Sequence, residues 1–121
     1  MNESLFRSER YFKVWQYSVS KNRLLLRSTR DNPPSTRIDI HFGAVGLTLL
    51  RPYYDGISIR RASNEERALI DETYSSADVA GDLFVIGEEP QSFVISGAPQ
   101  WHEDEGGLND PSWFGHMIGT K

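Results

Sequence analysis

The chain has no cysteine. That absence removes disulfide staples, thiolate zinc sites and cysteine nucleophiles together, because each needs sulfur at a fixed position. The N-terminus, MNESLFRSERYFKVW, alternates charged with aromatic residues and lacks the apolar core of about 7 to 15 residues that marks a secretory leader. No stretch approaches the roughly 18 apolar residues that cross a bilayer. Neither Gly-x-x-x-x-Gly-Lys-Ser/Thr nor Gly-x-Gly-x-x-Gly occurs, and Gly43-Ala44-Val45-Gly46 is only a fragment of such spacing, so no nucleotide cofactor is expected. A Gly-x-Ser-x-Gly elbow is missing too, as is any internal repeat of fixed period, which argues against solenoids and propellers. These absences set the expectation of a cytoplasmic protein without a cofactor or a membrane segment.

What is present is the composition of one globular domain. The 121 residues include six Phe, five Tyr and three Trp, and each such ring buries about 150–250 Å² when it enters a core. A chain of this length buries roughly two-thirds of its unfolded surface and needs no staple. The expected organisation is a single domain over 1–121, with a flexible N-terminus at 1–10, a β-rich core over 11–96 and an irregular acidic, aromatic tail over 97–121.

Charge is unevenly spread. Residues 1–61 hold eleven Lys and Arg against five Asp and Glu, a net of +6, and residues 62–121 hold two against twelve, a net of −10, which returns the overall −4. Either the halves fold together and neutralise one another, or a basic face awaits a polyanion.

Strand signals dominate. YFKVWQYSV at 11–19 is rich in aromatic and β-branched residues, and Ser20-Lys21-Asn22 offers a turn before RLLLRS at 23–28. After the loop TRDNPPS, where Pro33 and Pro34 break any ladder, residues 36–42 alternate cleanly, with Ile38, Ile40 and Phe42 one way and Arg37, Asp39 and His41 the other. Further strands are expected at 45–50, 57–60, 83–86 and 93–96. The last two are apolar at successive positions, as in strands covered on both faces. Ser63-Asn64-Glu65-Glu66 matches a capping box and opens a helix over 64–75. The expected fold is α+β: a mostly antiparallel, strongly curved sheet of about seven strands, sandwich-like or barrel-like, with one packed helix.

Three sets of residues are candidates for function. In WHEDEGG, Trp101, Glu103, Asp104 and Glu105, with Trp113 and Phe114 farther on, have the aromatic and acidic character of a segment that recognises another protein. His102, Glu103 and His116 have the donor types of a metal-assisted or small-ligand enzyme working at the mouth of the sheet, although adjacent residues diverge unless a loop curls round the ion. Arg23, Arg27 and Arg37 with Trp15 combine cations and a stacking ring, the means by which sheets hold nucleic acid.

The stretch FKVWQYSVSKNRLLLRST, then TRIDIHFGAVGLTLL and DGISI, resembles an uncharacterised family of small bacterial proteins with no assigned activity. Leu24 to Ser28, Thr36 to Phe42 and Gly56 to Ile59 carry the likeness, which covers about the first half of the chain. It implies no catalytic residue. The function expected is a non-enzymatic protein-binding module, a regulatory or immunity-like partner, with the metal-assisted enzyme and the nucleic-acid binder as alternatives.

Overall fold

A computed structural model describes residues 4–28, 36–107 and 110–114. Its elements are β1 (Ser4–Ser18), β2 (Arg23–Ser28), β3 (Arg37–Phe42), β4 (Leu47–Leu49), β5 (Tyr53–Arg61), α1 (Asn64–Tyr74), β6 (Asp82–Ile86), β7 (Phe93–Ser96) and β8 (Gln100–Asp104). The eight strands form one sheet in the order β4-β7-β6-β5-β1-β2-β3-β8, and every neighbouring pair is antiparallel. Among the described residues no helix is long and apolar enough to cross a membrane.

The α+β class with a mainly antiparallel sheet holds, but the strong curvature expected to give a sandwich-like or barrel-like form does not. The sheet is open: β4 pairs only with β7 and β8 only with β3, so the two ends of the order never meet. The doubly buried strands that suggested closure have separate covers on their two faces. On one face Phe12, Leu26, Ile40, Phe42, Ile59, Phe84 and Val94 form the main core. On the other, Leu83, Phe93 and Ile95 pack with Ile70 of α1 in a second cluster, so the helix supplies the cover that a second sheet was expected to give.

Local chemistry explains the elements. The Ser63 hydroxyl accepts from the Glu66 amide and the Glu66 carboxylate accepts from the Ser63 amide, the reciprocal cap expected for α1. The helix ends on Ser75 at φ 55°. Asn22 occupies the left-handed region at φ 51° in the β1–β2 turn, a conformation its short polar side chain tolerates.

Two stretches expected to be irregular are strands. β1 begins at Ser4, inside the segment 1–10, and β8 lies within 97–121. In β1 the register with β5 shifts between Ser4 and Phe6 and again between Ser8 and Tyr11. The register with β2 shifts between Val14 and Gln16. Each bulge inserts a residue and breaks the two-residue period, which hides the strand from a search for alternation. Opposite the second shift stands Gly56 at φ +83°, a conformation glycine takes without a Cβ penalty. This turn-like Asp55-Gly56 lies within β5, and the strand starts at Tyr53 rather than Ile57.

Candidate functional site

The face of β2, β3 and β8 turned away from the main core carries a polar layer where a sheet would ordinarily carry apolar residues. Alternation puts Arg23, Leu25 and Arg27 of β2 and Arg37, Asp39 and His41 of β3 on this side. The registers Arg27↔Asp39, Arg37↔Asp104 and Asp39↔His102 set the charges opposite one another.

Three arginines organise this layer. Arg27 and Asp39 form a bidentate pair at 2.7 and 3.0 Å, with side chains 0% and 1% exposed, and the guanidinium lies 5.2 Å from the Trp15 ring. Desolvating two charges is offset only by geometry of this quality. Arg37 is a hub. Its Nε and Nη2 donate to the two Asp104 oxygens at 2.7 and 3.3 Å. Its Nη1 donates to the carbonyls of Gly107 and Asp110, and Nη2 to that of Pro111, at 2.8 to 2.9 Å. Burial works against the Arg37 charge, but the hydrogen bonds it donates to Asp104 and the fields of Asp39, Asp104 and Asp110 outweigh it and raise its pKa. Burial likewise pushes the Asp104 carboxyl up, and the Arg37 bond, the Gly106 amide and the charges of Arg37 and His102 bring it below the usual carboxylate range.

The third arginine joins the layer to the chain that crosses it. Arg23 Nε donates to His41 Nε2 at 2.8 Å and Arg23 Nη2 to the Phe114 carbonyl at 2.7 Å. His41 is therefore an acceptor at Nε2, and burial together with the Arg23 charge lowers its pKa. Its ring stacks on Phe114 with centroids 5.1 Å apart, and His102 stacks on Trp113 at 4.4 Å. Residues 105–107 and 110–114 thus belong to a strap laid over the polar layer, held by the two outer arginines and by two imidazole–aromatic stacks. Gly106 lets it approach: a Cβ there would stand 2.5 to 2.8 Å from the Arg37 guanidinium atoms.

The residues singled out for protein recognition gather around β8 but on different sides. Trp101 projects to the core side, 5.1 Å from Phe6, and remains 44% exposed. Glu103 shares that side and accepts from Arg10 at 3.2 Å and from the Thr36 hydroxyl at 2.6 Å. Asp104, Trp113 and Phe114 lie on the strap side, where Trp113 is 65% exposed, and Glu105 is exposed at the start of the strap.

The metal set does not assemble in the same way. His102 and Glu103 are consecutive in β8 and so point to opposite faces, and His116 lies outside the described residues. Among the described residues no three His, Asp or Glu side chains come together in a group able to hold a metal ion.

Arg23, Arg27, Arg37 and Trp15 do come together, but in the layer rather than on a basic surface. Arg27 and Arg37 are buried and bound to carboxylates, which leaves neither guanidinium facing solvent phosphates. Ion pairs also link the two oppositely charged halves of the chain: Arg10–Glu103, Arg37–Asp104, Arg60–Glu66 and Arg61–Asp82.

Sequence reasoning passed over His41 and Asp39. Their signal was there: three ionisable residues on the non-core face of β3, opposite two arginines four apart in β2, make a pattern that only cross-strand pairing satisfies. Separate from all these residues is an open groove of about 690 Å³ lined by Arg7, Glu9, Tyr54, Asp55, Ile86 and Glu88, at the bulge between β1 and β5.

Comparison of the chain with family models, with curated proteins and with solved structures gave no match.

Proposed function

We propose that this chain is a protein-binding module that takes up an extended, basic segment of its partner along β8. The observation that carries this reading is the exposure of two tryptophans on opposite sides of one sheet edge, Trp101 at 44% and Trp113 at 65%. Tryptophan is the side chain most enriched among residues that dominate binding energy, and an edge strand offers a row of backbone donors and acceptors to an incoming strand. Glu105 and Asp110 are exposed nearby, and they add a negative potential that steers a basic chain and disfavours a second copy of this acidic edge. The other end of the sheet, β4, has three residues and offers far less.

The test compares immobilised wild-type chain with a Trp101→Ala/Trp113→Ala variant as baits in lysate of the source cell, followed by titration of each captured protein. The reading requires a protein held by the wild type and lost from the variant, with affinity falling as salt rises. Identical captures from both baits, or a wild-type chain that pairs with itself through β8 in light scattering, contradict it.

A further inference from the structure

The chain has an unusual junction where the strap ends. A single guanidinium, that of Arg23, donates both to the lone pair of an imidazole and to a backbone carbonyl of the strap, at 2.8 and 2.7 Å. The same imidazole, His41, carries the Phe114 ring on its face. Both contacts that seat Phe114, the Arg23 bond and the ring stack, meet at His41, and the Arg23–His41 bond needs Nε2 to have no proton.

We propose that the strap is a pH-responsive latch: protonation of His41 turns its bond with Arg23 into a contact between two cations, and the 112–114 end of the strap leaves the sheet. A protonated ring presents an N–H where a lone pair had been, so donor faces donor. His41 is only 9% exposed and Arg23 is half-buried, so water screens the two charges less than it would at the surface. The charge that acts on the ring is that of Arg23 from β2; farther along the same face stand Arg27 of β2, Arg37 and Asp39 of β3 and His102 and Asp104 of β8. Asp39 and Asp104 are already bound to Arg27 and Arg37, so neither carboxylate is spare to balance a new cation. Arg23 can retreat only by releasing Phe114. The hub at Arg37 does not involve His41, and it keeps residues 104–107 in place while the far end opens.

The sign follows from the surroundings. Burial and Arg23 hold the proton off His41 while the strap is docked, whereas the undocked ring takes a proton at the ordinary imidazole pKa of about 6.5. Docking is therefore complete above that pH and weakens as pH falls through the depressed value. Trp113, carried on this end, is half of the surface proposed for partner binding, so on that reading acidification also weakens capture.

Nuclear magnetic resonance on the full chain between pH 8 and 5 tests the latch without a partner, by following each histidine Hε1 and the heteronuclear NOE of amides 112–114. The expected result is a loss of rigidity at 112–114 that tracks the His41 midpoint, with 104–107 unchanged. His41→Gln retains an acceptor for Arg23 but cannot titrate, and its strap should stay rigid throughout. Titration of His41 with 112–114 unaltered, loosening that follows His102 instead, or His41 neutral until the whole chain unfolds would each overturn the proposal. If the glutamine variant does not fold, the wild-type midpoints still decide. A latch that opens while tryptophan-dependent capture stays constant with pH upholds the latch and counts against the docking surface.

Discussion

Replacing Arg37 with methionine removes a group whose five hydrogen bonds end on one carboxylate and three carbonyls of the strap. Bonds to a charged donor are worth about 1.5–3 kcal/mol each in isolation, but their simple sum overshoots, because one desolvation cost is shared among all five. Breaking a buried ion pair costs about 3–5 kcal/mol. The Arg37 side chain is 3% exposed and that of Asp104 25%, so the stranded carboxylate recovers some hydration and the lower end, about 3 kcal/mol, is expected. For a chain of this length that corresponds to a fall of roughly 9–15 °C in Tm. Urea unfolding of wild type, Arg37→Met, Asp104→Asn and the double variant would give the coupling between the pair, expected at about 1–3 kcal/mol. Arg37→Lys should recover only part of the loss, since a point ammonium cannot reproduce the fork. An Arg37→Met chain within about 0.5 kcal/mol of wild type, the scale of an ordinary surface substitution, would refute the hub.

Further outcomes follow from the same geometry. Gly106→Ala should displace the Arg37 guanidinium and cost about 1–3 kcal/mol, the range for overpacking, and a fully stable alanine variant would show that the strap does not lie this close. Ser63→Ala removes one half of the α1 cap and should cost about 1 kcal/mol in denaturant unfolding. Glu66 is held down to about 2 by its hydrogen bond with Arg60, with the Ser63 amide and the Arg60 charge adding to it against burial. Its contribution to stability is present above the unfolded carboxyl value of 4.5 and is lost as pH falls toward 2. Asp104 adds in the same direction. Unfolding measured from pH 6 to pH 2 should therefore show declining stability, and Glu66→Gln should make that decline shallower.

Much of the scaffold was legible because the residues that form it obey one period. β3 alternates without a break from Arg37 to Phe42, and Ser63 to Glu66 spells its own cap. β1 was only half legible, since its two register shifts against β5 erase the alternation over Ser4–Arg10, where Arg7 and Arg10 look like a charged leader. β8 was hidden for another reason. His102 and Asp104 face a layer of cations and aromatic rings rather than a hydrocarbon core, so their partial burial leaves no apolar signature. Pairing with β3 makes QWHED a strand, and pairing is not written in the segment itself. Sheet closure was misjudged because apolar runs report that both faces are covered without saying by what. Here α1 covers the outer face over β6 and β7, and the strap covers it over β2, β3 and β8. The convergence of Arg23, His41 and Phe114 joins positions far apart in the chain and follows only from the register of three strands.

The account rests on the strap being seated on the polar layer, and NOE contacts between aromatic protons test that most directly. At pH 7.5 the account predicts cross-peaks between Trp113 and His102 and between Phe114 and His41, the pairs stacked at 4.4 and 5.1 Å. A spectrum in which Trp113 and Phe114 show sharp, solvent-like resonances with no cross-peak to either imidazole would contradict it.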